Sequence, residues 1–154
     1  MSIAMRPEAR PYWLILNVGV KVNGPGVPTS DFELIDTDGT GLVIPDGDHK
    51  GLKLSGVSQP VLVVFTLEDN LGLHFPPEPD DGIGIIRAAT GCPTTASNAT
   101  AGMFDRKGVS KDQRRLAVLD QNPGSGHEYR FALFLLDSVN GTVVAVCDPK
   151  IINN

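Results

Sequence analysis

The chain has 154 residues, a net charge of −5 and 41% hydrophobic residues. This length suits one domain with a substantial core, and the composition is that of a globular protein rather than a disordered one. The acidic balance argues against a general nucleic-acid binder and against a protein that binds anionic membrane surfaces.

The first residues contain no apolar segment typical of a secretory signal, because Arg6 and Arg10 interrupt it. No run approaches the length and apolarity of a membrane span. We therefore expect a cytoplasmic protein in which Cys92 and Cys147 are free thiols.

Strand patterns follow one another along the chain. Residues 12–23 settle into alternation, with Val18, Val20 and Val22 on one side, and residues 59–69 carry apolar side chains on both sides. The second pattern indicates a central strand covered on both faces, or a face used for association. Shorter strands are predicted, between turn residues, at 32–36, 41–44, 52–54, 82–86 and 115–120.

Residues 88–114 differ from the strands around them. The segment is small, polar and rich in Gly, Thr and Ala up to about residue 108, which predicts a long loop, and a turn of helix is predicted at 110–115. Long loops in compact domains are often functional or mobile, so this segment is a place to look for a site.

The C-terminal segment 129–152 carries the clearest structural signal. Two apolar runs flank Asn140-Gly141, the preferred pair for a tight hairpin turn. Gly126 and Tyr129 enter the first run, and this end of the chain resembles the last two strands of immunoglobulin-like sandwiches. We predict one all-β domain over 1–154, an antiparallel β-sandwich of about seven to nine short strands that is immunoglobulin-like in this hairpin.

Two proline pairs, Asp148-Pro149 and Glu78-Pro79, give the chain a second resemblance. They are similar to the Asp-Pro and Glu-Pro motifs that describe a small bacterial group of uncharacterised proteins, the DP-EP family. Membership would imply no activity, because a fold or family likeness alone does not confer a function.

The sequence predicts no metal site and no cofactor. The three histidines, His49, His74 and His127, are isolated along the sequence, and Cys147 lacks the neighbours of a copper site. Acidic turns at 36–39, 46–48 and 78–81 leave calcium open as an alternative, but Asp-Gly turns explain the first two without a metal.

Catalysis would need an activated nucleophile with a base in reach. Cys92 lies in the predicted loop, and His127 would pair with it only if that loop folds over the start of the C-terminal hairpin. We keep an enzyme with a loop-borne site around Cys92 and His127 as the alternative hypothesis, and we predict no catalytic residue.

Basic residues concentrate in ten positions of an otherwise acidic chain, at Arg106, Lys107, Lys111, Arg114 and Arg115. Such a segment is expected to bind an acidic protein or an anionic ligand, or to remain a solvated loop.

The two-faced strands favour self-association. Two sheets packed face to face bury one face each, so the second apolar face needs cover from a loop or from another chain. We predict a homo-oligomer whose interface candidates are Phe134, Leu136, Val144 and Val146. The preferred hypothesis is a non-catalytic binding or assembly module without a cofactor.

Overall fold

The computed structural model describes residues 13–22, 32–45, 50–68, 72–87, 96, 103–122, 126–137 and 143–153, with the side chains of Phe32 and of residues 143–150 outside the described set. These residues form an all-β structure. None of them belongs to a helix long and apolar enough to cross a membrane.

Eleven strands make up the described structure. They are β1 Leu14–Val22, β2 Phe32–Asp36, β3 Val43–Ile44, β4 Gly51–Lys53, β5 Val61–Leu67, β6 Leu73–His74, β7 Ile83–Arg87, β8 Phe104–Val109, β9 Arg115–Asp120, β10 Glu128–Asp137 and β11 Val143–Ile152. A single turn of 3-10 helix, Pro79–Asp81, precedes β7.

The first sheet has five strands in the order β2-β1-β5-β9-β8. β5 lies at its centre, as its apolar residues on both faces predicted. β1 pairs with β5 in parallel, whereas the other pairs of this sheet are antiparallel. The prediction of a purely antiparallel architecture is therefore wrong: both sheets are mixed, because turn residues report only on strands that follow each other along the chain.

The second sheet is built on the predicted C-terminal hairpin. β10 and β11 pair antiparallel, β4 adds to β11 in parallel, and both β6 and β7 pair with β10. The β10–β11 register shifts where Ala132 faces Cys147 and Arg130 faces Lys150. β11 accommodates an extra residue there, at Asp148-Pro149, because proline has no N–H to donate to the ladder.

One hydrophobic core joins the two sheets. Buried residues of β1, β5 and β9 form a single cluster with those of β7 and β10. The rings of Phe65 on β5 and Phe131 on β10 lie 5.3 Å apart, and Phe104 on β8 meets Tyr129 on β10 edge-on at 5.0 Å. These aromatic pairs bury large surfaces, and they join residues of the first sheet to β10 of the second at both positions.

The predicted loop over 88–114 contains a strand. β8 occupies Phe104–Val109 and pairs with β9, with a register shift beside Arg106. Apolar and polar residues do not alternate along β8. In the first half of the strand, Phe104 is the single apolar residue and it is buried in the core. The predicted helical turn is a tight β8–β9 turn, in which Gln113 has a φ of 59°. Most of the remaining loop, 88–95 and 97–102, lies outside the described residues.

Candidate functional site

The five-stranded sheet turns one face to the core and the other away from it. We call the second one the outer face; its central residues are Ile15 and Asn17 on β1, Leu62, Val64 and Thr66 on β5, and Arg115, Ala117 and Leu119 on β9. The strand register aligns these side chains in rows across the sheet, such as Asn17, Val64 and Ala117.

One end of the outer face is apolar. Ile15 is 46% exposed and lies in the row of Leu62 and Leu119. Lys107 lies over the ring of Trp13, with its ammonium 5.6 Å from the ring centre, and also contacts Asp105 at 2.7 Å. The lysine is thus held at this end by a cation–π contact and a surface ion pair.

The other end of the outer face forms a cleft of about 300 Å³. It is lined by residues from β1, β5 and β9 and from the segments after β2 and β5: Asn17, Thr37, Asp38, Val64, Thr66, Glu68 and Arg115. The volume is at the lower end of the range for small-molecule sites. The cleft therefore presents an arginine, two carboxylates, an amide and two hydroxyls beside one apolar wall.

Few of the polar groups that line the cleft form hydrogen bonds or ion pairs with one another among the described residues. The amide of Asn17 donates a 2.8 Å hydrogen bond to Asp38. Among the described residues, neither Arg115 nor Glu68 forms an ion pair within 4.0 Å. The guanidinium and the Glu68 carboxylate are both exposed, so they remain available to a ligand.

Gly19 and Asp36 explain how the sequence builds this cleft. A Cβ on Gly19 would lie 2.9 Å from Cβ of Ile35 and 3.1 Å from Cγ of Glu68, so only glycine allows both residues to approach β1. Asp36 accepts hydrogen bonds from the backbone of Thr40 and Gly41 and from the Thr40 hydroxyl. Partial desolvation raises the pKa of Asp36, but these bonds outweigh it and lower the pKa below its ordinary value.

Two of the predicted basic residues support the fold instead of forming a binding surface. The Arg106 side chain is only 8% exposed; it donates to the carbonyl of Ile83 at 2.7 Å and lies 4.0 Å from Asp80. Burial lowers the pKa of Arg106, while Asp80 and Asp81 raise it. Arg114 donates to the carbonyls of Leu67 and Leu73.

The other three basic residues point to different places. Lys107 lies at the apolar end of the outer face, Lys111 is exposed on the β8–β9 turn, and Arg115 lines the cleft. The predicted segment therefore contributes one residue, Arg115, to the cleft. Sequence reasoning missed Asn17, Thr66 and Glu68, because these residues are far from Arg115 in sequence. The antiparallel pairing of β5 with β9 places Thr66 opposite Arg115, and the parallel pairing of β1 with β5 adds Asn17.

Some of the predicted interface residues, and of the Cys92–His127 pair of the enzyme hypothesis, lie among the described residues and some lie outside them. Phe134 is 8% exposed within the single chain, and Leu136 is partly buried. The side chains of Val144 and Val146 are not among the described ones, and Cys92 lies outside the described residues. His127 is partly buried, and its carbonyl accepts the Asn153 N–H at 3.1 Å.

The acidic turns are engaged in local structure. Asp36 closes its own turn and Asp38 bonds Asn17, while 46–48 lies outside the described residues. Within the part of the chain that the structure describes, no three His, Cys, Asp or Glu side chains form a group able to hold a metal ion.

Comparison with models of known protein families and with curated proteins finds no match to this sequence.

Proposed function

We propose that this protein is a non-catalytic binding module whose ligand site is the cleft on the outer face. The observation that carries the proposal is that Arg115 and Glu68, which form no ion pair within 4.0 Å among the described residues, line one concavity with charges of opposite sign. No hydroxyl of the described cleft residues is hydrogen-bonded to a carboxylate there, as a nucleophile activated by a base would be.

The chemistry of the lining indicates the ligand class. A guanidinium recognises a carboxylate or phosphate in a planar, two-pronged geometry. Glu68 and Asp38 accept hydrogen bonds from an ammonium group, and Val64 offers a small apolar contact. A small zwitterion, such as a free amino acid, carries an ammonium group and a carboxylate that are separated by only a few bonds.

Nuclear magnetic resonance with labelled protein tests this function. Free amino acids, acetate and methylammonium are added separately, and the backbone resonances of β1, β5 and β9 are followed. We expect saturable shifts at the cleft with amino acids, weaker shifts with either single charge, and loss of binding in Arg115→Gln and Glu68→Gln. Lys111→Gln is the matched control, because Lys111 lies on the turn and not in the cleft. Cleft resonances unmoved by all three probes would refute the function.

Self-association through the outer face is a second candidate function. Ile15 and Ile35 are 46% and 38% exposed, and both lie on this face, on neighbouring strands. Phe134, by contrast, is already buried within the single chain, so the outer face suits an interface between copies better than the predicted Phe134 surface does.

Light scattering on a sizing column separates the two surfaces. If the outer face is the interface, Ile15→Lys reduces an oligomer to a monomer of 16.4 kDa, the mass of one chain. Phe134→Glu is the comparison variant for the predicted interface, and circular dichroism reports whether it still folds. A wild-type monomer would end both versions of self-association.

We also propose that the two sheets form a sandwich that is immunoglobulin-like in the β10–β11 hairpin. The aromatic contacts between β5 or β8 and β10 support this arrangement. Relationship to the DP-EP family is a further proposal, supported by the position of Asp148-Pro149 at the irregularity of β11.

A further inference from the structure

A buried polar cluster lies at the edge of the core, away from the cleft. Asp120 ends β9 in one sheet and Asn153 follows β11 in the other, and each is 1% exposed. Asn122, 3% exposed, donates through its amide to the carbonyls of Val57 and Gln59. Three chain segments therefore meet through these three side chains.

One oxygen of Asp120 is well satisfied. Its Oδ1 accepts the backbone N–H of Asn122 at 2.9 Å and the side-chain amide of Asn153 at 3.0 Å. Asn122 adopts a φ of 47°, in the left-handed region that asparagine tolerates, within this tight turn. The hydrogen bond from Asn153 places the carboxyl and amide groups side by side.

Two oxygens of the pair, the other carboxyl oxygen of Asp120 and the amide oxygen of Asn153, have no donor among the described residues. Within the described part of the chain, Oδ2 of Asp120 and Oδ1 of Asn153 are buried and make no hydrogen bond. An unsatisfied buried acceptor is costly, and a buried charge is more so. The ionised carboxylate of Asp120 and the amide of Asn153 cannot satisfy each other here, because both free oxygen atoms are hydrogen-bond acceptors.

We propose that Asp120 and Asn153 form a proton-dependent latch between the two sheets, in which a proton on Oδ2 of Asp120 is donated to Oδ1 of Asn153. The proton comes from solvent and completes an eight-membered acid–amide ring, with one bond in each direction. Loss of the proton leaves the single amide-to-carboxylate bond and a buried charge, and it loosens the end of β11.

The surroundings of Asp120 favour its neutral form. Burial raises its pKa to about 6, against the hydrogen bonds from Asn122 and Asn153 that lower it. The strands beside it present Val61 and Phe104, which are apolar. From β10 the facing ionisable group is Tyr129, whose pKa is raised by burial, lowered by Arg87 and raised by Asp120. Arg87 lies over the Tyr129 ring, 5.9 Å from its centre.

Carbon and nitrogen magnetic resonance on the full chain tests the latch. The Asp120 carboxyl resonance is assigned by its absence in Asp120→Asn and followed between about pH 3 and 8 together with the Asn153 side-chain amide. We expect both to titrate with one midpoint near 6. Above it, exchange of the Asn153 backbone N–H accelerates several-fold more than that of Phe75, whose N–H bonds Gln113.

Two variants and one ion complete the test. In Asp120→Asn the resonance of the Asn153 side-chain amide no longer shifts with pH, because the new asparagine supplies the missing donor at every pH. For the same reason, the exchange rate of the Asn153 backbone N–H keeps a constant ratio to that of Phe75. Asp105→Asn, the same change at an exposed carboxyl on β8, leaves the titration intact. A midpoint near the ordinary 3.8, or an Asn153 amide that ignores pH, overturns the latch. So do Asn153 shifts on adding millimolar calcium at neutral pH, because the free oxygens would then hold a cation.

Discussion

Replacing Asp120 with asparagine is expected to stabilise this protein at neutral pH. The change removes a buried charge and supplies an N–H for the free oxygen of Asn153, while the new amide oxygen still accepts from Asn122 and Asn153. Most substitutions of buried polar residues destabilise a protein, so the predicted sign is unusual.

The magnitude follows from the pKa of Asp120. It rises from 3.8 to about 6 on folding, so the native state binds the proton more tightly than the unfolded chain does. The resulting stability is full below pH 3.8 and is lost as pH rises through about 6. At about 1.4 kcal/mol per pKa unit, the whole loss is about 3 kcal/mol, and a little under half of it falls between about pH 5 and 7.5.

The assay is urea unfolding of the wild type and Asp120→Asn at about pH 5 and about pH 7.5. Comparing the two proteins cancels every other titrating group, including Asp36 and Asp112, whose pKa values are lowered. We expect the variant's advantage in the free energy of unfolding to be roughly 1–2 kcal/mol larger at the higher pH. An advantage that is independent of pH, or a variant that is less stable at both values, would refute the reasoning.

The remaining predictions concern the frame of the cleft. Arg114→Met leaves the carbonyls of Leu67 and Leu73 without their donor, so we expect the free energy of unfolding in urea to fall by about 2–3 kcal/mol. Lys111→Met, at an exposed lysine, is the control and is expected to change it little. Equal stability of the two variants would show that water replaces the guanidinium. Gly19→Ala puts a Cβ 2.9 Å from Cβ of Ile35, so we expect about 1–3 kcal/mol of destabilisation from overpacking and weaker ligand binding at the cleft. Gly56→Ala, where no heavy atom lies within 4 Å, is the control, and an equally mild effect at both glycines would contradict the close approach.

The strands that the sequence predicts best are those with a regular two-residue period. The alternation in 12–23 identifies β1, the run of β-forming apolar residues in 59–69 identifies β5, and the Asn140-Gly141 pair identifies the β10–β11 hairpin. Period and turn chemistry are local properties, and they are readable without knowing what packs on the strand. β8 escapes this reasoning because its residues do not alternate.

The cleft could not be predicted, because its residues are far apart in sequence. The sequence predicts Arg115 only as one of five basic residues. Its difference from Arg106 and Arg114 arises because those two donate hydrogen bonds to backbone carbonyls of β7, β5 and β6. The sequence shows five basic residues in ten positions and cannot show which of them will donate hydrogen bonds to backbone carbonyls.

By itself, then, the sequence determined an all-β chain, the positions of most strands and a central strand with two apolar faces. Tertiary structure alone decided the parallel pairing of β1 with β5, the cleft beside Arg115 and the meeting of Asp120 with Asn153. The physical reason is that strand formation depends on neighbours along the chain, whereas the pairing of distant strands, and the burial of a charge between them, depends on long-range contacts that no local pattern encodes.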